Sequence, residues 1–283
     1  MVSVHSPLGF SLAGAILLGL AAATPAAGQA APHEEVDEFP NHALVCPDGG
    51  YMSGCDDETI EWALRVEDAE PADFAERCLY ETDAACRVVS SGRIGAFGSV
   101  PDLYWQVLHL QPADGPRTEM LVLAEYQATF FHLLSARQVD GHLDTPIAAH
   151  GADDGENSRF ILHIPAVNRA LGNADLLFFT SGEGWNWIDA ASLIRQADRL
   201  LPAGFSTASP VNFNFHEMAA FAPVSRDGDA ACCATGGVVV LDFEQSDHSL
   251  AVSAVTFTES KSVEAAWTAH AETNGDALSG DNE

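Results

Sequence analysis

Downstream of residue 104 the chain is cut into short runs of alternating, β-favouring residues, and only one segment breaks that rhythm with helical spacing. The runs 104–110, 120–127, 129–136 and 160–165 are separated by turn formers such as Pro112-Ala113-Asp114-Gly115-Pro116 and the stretch 151–157. Further runs follow at 176–180 and 211–216, and 237–243 with 250–257 reads as a hairpin joined through 244–248. The helical segment starts at Asp189, a side chain suited to capping. Its apolar stripe is Ala190, Leu193, Ile194, Ala197, Leu200 and Leu201, and Pro202 and Gly204 end it. Strands, one helix, then strands predict an α+β fold, mostly antiparallel sheet with one amphipathic helix. No fixed period repeats along the chain.

Upstream, two short helical patterns stand out. One covers 58–66, with Ile60, Ala63 and Leu64 on one face, and the other covers 71–80, where Pro71 suits a first turn and Phe74, Cys78 and Leu79 follow at helical spacing. The organisation expected is therefore a small disulfide-bearing helical subregion over 44–95, a β-rich α+β domain over 96–259, and an acidic, partly disordered tail over 260–283, with a short helix near 263–271. Residues 1–30 read as a secretory signal peptide: the run 9–23 is apolar and uncharged, and small residues follow it up to a cleavage site after Ala30. That run is too short to cross a bilayer core of about 30 Å, and no later stretch reaches spanning length. The n-region departs from the usual pattern in carrying His5 but neither Lys nor Arg. Residues 31–43 form a polar, acidic linker. Since no cysteine precedes Cys46, a lipid anchor just after the signal is not expected, and the mature protein should be periplasmic or secreted.

Export bears directly on the six cysteines, because an oxidising compartment makes pairing the default. Cys46 and Cys55 bracket a Gly-rich turn, and Cys78 and Cys86 flank the end of a short helix, so two local bridges are expected. The neighbours Cys232 and Cys233 either close an eight-membered ring with each other or each reach a distant partner.

The formal net charge is −29, from 41 acidic residues against 12 basic ones, with Lys261 the single lysine. Phosphate binding needs Lys and Arg to displace counterions, so nucleic acids and anionic membrane surfaces are poor partners. The acids are scattered rather than blocked, as expected of a protein kept hydrated in a salty milieu.

Familiar catalytic signatures are missing: there is no His-Glu-x-x-His helix, Gly-x-Ser-x-Gly elbow, phosphate loop or dinucleotide fingerprint. A lone lysine in the tail argues against Schiff-base chemistry. His132, His142, His150 and His163 fall in one strand-turn-strand stretch, but their spacing fits no ligand pattern, and the acidic turns 153–157 and 227–229 lack the alternation of a calcium loop. Neither a metal nor a cofactor is expected. A candidate ligand surface comes instead from alternating rings and amides, with Trp185 and Trp187 before the helix and Asn212, Asn214 and His216 after it. Such a groove would suit a glycan, a peptide or another envelope component. The plainer reading makes the same rings core and the amides turn residues. A hydrolase of envelope glycans or peptides is the enzymatic alternative, with Asp175, Asp189 and His216 as acid and base, and thiol redox or soft-metal chemistry at Cys232 and Cys233 is a third.

The stretch from Asp227 to about Phe257 runs through an acidic turn, Cys232-Cys233-Ala234-Thr235 and a β-strand. It resembles exported bacterial proteins of unknown function with a Cys-Cys-Pro-Ser/Thr motif, LppP/LprE-type lipoproteins among them, although Ala234 stands where proline is expected and the lipobox is lacking. The resemblance covers roughly 30 residues. It implies a structural element of an envelope domain and brings no catalytic residues. These features together predict an exported, envelope-associated protein that binds or builds rather than catalyses.

Overall fold

Runs such as Met120-Leu121-Val122-Leu123-Ala124 carry apolar residues at both parities, so a strand made from them needs cover on both faces. The computed structural model supplies that cover by stacking sheets. It describes residues 44–95, 101–153, 158–169, 172–181, 184–246, 249–260 and 262–270. The expected signal peptide and linker, and the tail after residue 270, lie outside the described residues.

Two short helices, α1 (Asp57–Trp62) and α2 (Asp73–Glu76), precede a four-stranded antiparallel meander of β1 (Ala85–Ile94), β2 (Asp102–Gln111), β3 (Thr118–Gln127) and β4 (Phe130–Val139). Five strands follow: β5 (Gly141–Leu143), β6 (Ile147–Asp153), β7 (Ser158–Ile164), β8 (Ala166–Asn168) and β9 (Gly172–Asn173). Next come β10 (Leu176–Ser181), β11 (Gly184–Ile188) and the helix α3 (Ala190–Leu200). The chain then forms β12 (Phe205–Thr207), β13 (Asn212–Asn214), β14 (Ala219–Arg226), β15 (Gly237–Gln245) and β16 (Leu250–Thr258). A second sheet has the order β11-β10-β7-β6, a third β12-β14-β15-β16 with β13 also on β14, and a small one β5-β8-β9. The described pairings are all antiparallel.

Alternation along the strands sorts side chains into successive cores. Leu108, Leu110, Met120 and Val122 face Ile60, Phe74, Leu79 and Tyr80, so the cystine-bearing segment shares a core with the meander. The opposite face, with Leu103, Trp105, Leu121 and Leu123, packs on Phe160, Leu162 and Phe178 of the second sheet. The other side of that sheet, through Ile161, Leu177 and Phe179, meets α3 and residues Ala222, Val239 and Leu241 of the third. Beyond the third sheet, Val238 and Val240 are covered by Ala266 and Trp267 of a helix over 263–270.

Several local details differ from the expectation. The pattern over 58–66 yields only six residues of helix, and that over 71–80 only four. Within 44–95, residues 85–94 form β1 because Cys86, Val88 and their neighbours pair with β2. β14 carries no strand signal in the sequence, being alanine-rich with Pro223 inside it. The proline is tolerated because its carbonyl bonds Ala208 N on the side where β12 gives way to β13. A strand residue's N–H and C=O point the same way, so the missing donor faces that gap.

Candidate functional site

Trp185 is 9% exposed and Trp187 packs against the same cluster, between the meander and the second sheet. Trp185 is therefore a core residue, with its Nε1 buried and lacking an acceptor. Asn212 and Asn214 lie on β13, and the intervening Phe213 stacks on Phe215 at 5.5 Å in the core on the other side of the second sheet. His216 is exposed in the turn after β13. The five residues are thus divided between two layers, and Trp185 offers no ring face to a ligand. Asp175 and Asp189 also serve separate tasks. Asp175 bonds His163 Nε2 at 2.7 Å and accepts from Asn173, while Asp189 caps α3 by accepting from Ala191 N and pairs with Arg195.

The histidines diverge. His163 sits with Asp175 in a buried network that continues through Asn173 to both polar groups of Val211. His142 bonds Glu119 at 3.1 Å, and Glu119 also accepts from Leu143 N and contacts His109 Nε2 at 2.9 Å. Arg87 Nη2 lies 3.0 Å from His109 Nδ1, so the same ring links Arg87 to the 3%-exposed Glu119. Exposed His132 stands across from Glu125 on β3, and the side chain of His150 lies outside the described residues. Among the described residues no three His, Cys, Asp or Glu side chains are arranged to hold a metal.

A site that no sequence pattern singled out lies on the cystine segment. Asp56 caps α1, accepting from Thr59 N and Thr59 Oγ1, which depresses its carboxyl below the ordinary range. After the helix, Leu64 bridges Tyr80, Arg65 N donates to Leu79 O and Glu81 N to Ala63 O, making a short two-stranded floor. One wall is tied down by Thr82 Oγ1 to Cys46 O at 2.9 Å and Asp83 N to Pro47 O at 2.9 Å. Beneath it the buried Tyr80 hydroxyl donates to Val45 O, and burial pushes that phenol's pKa up. Gln138 of β4 clamps the same segment through Leu44 N, Val45 N and Val45 O. Two disulfides brace the ends, Cys46 with Cys55 (Cα–Cα 5.9 Å) and Cys78 with Cys86 (6.3 Å).

The result is a groove of about 820 Å³ lined by Thr59, Trp62, Arg65, Glu81, Thr82 and Asp83 among others. Trp62 stands on its rim, 74% exposed, with its indole N–H directed at Glu58. Arg65 is held by Glu81 at 2.5 Å and by the carbonyl of Trp62, so the remaining charge of the described lining is the Asp83 carboxylate. Hydroxyls, carboxylates and a flat ring on a braced wall can hydrogen-bond a polyhydroxyl ligand and stack on its apolar face. The described lining contains no histidine, and both of its cysteines are in disulfides. Of the alternatives open for Cys232 and Cys233, the structure forms the bond between them, and none of the described cysteines is free. No protein-family model, curated protein or solved structure matches the chain.

Proposed function

We propose that the protein is an exported, envelope-associated binding protein that works without catalysis and takes a glycan in the groove beside Trp62. One observation carries the reading: a 74%-exposed indole stands over a groove whose walls are fixed by two disulfides and by Gln138. A ring left in water is otherwise a cost, and a braced wall limits the entropy lost on binding. Pairing of all the described cysteines supports a periplasmic or secreted location, and no helix among the described residues is long and apolar enough to cross a membrane. The resemblance of Asp227 to about Phe257 to LppP/LprE-type exported proteins points to the same compartment. The charge of −29 favours a neutral sugar chain over an anionic polymer.

The test is titration of the protein with soluble cell-wall glycan fragments, followed by tryptophan fluorescence and calorimetry. The W62A variant should bind about tenfold more weakly, the loss that a contact worth about 1.4 kcal/mol gives, and W62F should keep most of the affinity. Equal binding by wild type and W62A, or binding only of cationic peptides, overturns the glycan assignment. Release of new reducing ends during incubation would instead support a hydrolase.

A further inference from the structure

A cross-link between chain neighbours holds nothing distant together. A disulfide stabilises by closing a loop of the unfolded chain, and the effect shrinks with the number of residues enclosed. Cys46–Cys55 and Cys78–Cys86 span separations of 9 and 8 and sit against the core, whereas Cys232–Cys233 spans 1. Nor does the loop around it need the bond. Residues 227–236 join β14 to β15, and Asp229 closes them by accepting from Arg226 N, Thr235 N and Thr235 Oγ1 at 2.7–2.8 Å. Gly236 N to Val224 O and Asp227 N to Gly204 O complete the closure.

Both cysteines are exposed, in a turn fixed by Cys233 N to Ala230 O at 2.8 Å, and their neighbours Ala230, Ala231 and Ala234 are too short to screen the sulfurs. A bond with no tethering role, presented to solvent on a loop that stays closed without it, is placed for chemistry.

We propose that Cys232–Cys233 is a reversible two-electron site that exchanges with an external neutral dithiol. One thiolate of the dithiol attacks a sulfur of the pair; the S–S bond breaks, a mixed disulfide forms, and the other cysteine leaves as a thiolate and takes a proton from water. The dithiol's second thiol, once deprotonated, attacks the mixed disulfide at its own sulfur and expels the remaining cysteine, which is protonated in turn. The protein gains two electrons and two protons, and the dithiol ends as its own disulfide. Asp227 and Asp229 border the pair on a chain of charge −29, which opposes an anionic monothiol and selects a neutral reductant.

The folded full chain is to be treated with dithiothreitol or with reduced glutathione at equal thiol concentration, trapped with iodoacetamide and mapped by mass spectrometry. Cys232 and Cys233 should acquire label together, at least tenfold faster than Cys46, Cys55, Cys78 and Cys86, and faster with dithiothreitol than with glutathione. Oxidised dithiothreitol should remove the reactivity. A C232S/C233S double variant should lose the two-electron transition and melt with the wild type. Labelling of all six cysteines in step, labelling only after denaturant is added, or a large fall in the variant's melting temperature overturns the proposal. Faster reaction with glutathione overturns the choice of reductant. None of these readouts depends on the groove at Trp62.

Discussion

Glu119 shows what a single residue can demand of its surroundings. It opens β3 with its side chain 4% exposed, and its carboxylate is satisfied by His109, His142 and Leu143 N. Removing the carboxylate leaves His109 and the buried Leu143 N without their partner. E119A should therefore lose about 2–6 kcal/mol of unfolding free energy, at about 1–3 kcal/mol for each stranded group, seen as a lower urea midpoint at unchanged slope. E119Q, which keeps the shape and part of the hydrogen bonding, should lose less, about 1.5–3 kcal/mol. A loss below about 1 kcal/mol in E119A would mean that the network contributes no more than a surface pair. A carboxylate beside a run of buried apolar residues was visible in the sequence, but its partners come from β2 and β5 and were not. Trp62 is the opposite case. It stands off the stripe of Ile60, Ala63 and Leu64, so its exposure follows from helical spacing, while the groove beneath it needs the pairing of 63–65 with 79–81. Trp185 and Trp187 were legible as sharing a face, but which face becomes core depends on which sheet lands on it.

Among the elements, α3 was the most readable, because cap, stripe and stop are all local: Asp189 caps it, and Leu193 and Ala197 are buried. β14 was the least readable, since its place is set by β12, β13 and β15 around Pro223. The loop after β14 carries a pH dependence with a definite sign. The N–H of Arg226, together with the Thr235 hydroxyl and N–H, holds the Asp229 carboxyl below its ordinary value of 3.8. A depressed carboxyl stabilises the closed loop above the unfolded-state pKa, and this contribution is lost as pH falls through the folded-state value. Loop closure should consequently persist through mildly acid conditions and fail only below pH 3.8. The Thr235 amide and Asp229 carboxyl resonances should titrate together with a midpoint under that value, and D229N should abolish the Thr235 transition. A midpoint at or above 3.8 would show that these bonds do not favour the ionised carboxyl.

For the whole molecule, stacking explains both what was legible and what was not. Runs of apolar residues at both parities announce strands, and the turns between them announce antiparallel neighbours, but not which sheet covers which. Charge acts at the same scale and was readable from composition alone. Arg65, Arg77, Arg93, Arg169, Arg195 and Arg226 are each already paired with a carboxylate. With 41 acidic residues against 12 basic ones, most acids therefore have no cation to answer them. Self-repulsion of that kind destabilises the compact state and is relieved when the screening length shrinks from about 30 Å at 0.01 M salt to about 3 Å at 1 M. Melting temperature should accordingly rise between those concentrations by about 4–8 °C, the shift that about 2 kcal/mol produces in a chain of this size. Sodium and potassium chloride should act alike if screening is the cause, since screening depends on ionic strength and not on which monovalent cation supplies it. The E119Q variant should show the same salt increment from a lower starting point, because the position it changes is buried and out of reach of the counterions. Equal stability in dilute and molar salt would leave the acidic surface without an energetic role and would return the charge of −29 to the problem of partner recognition.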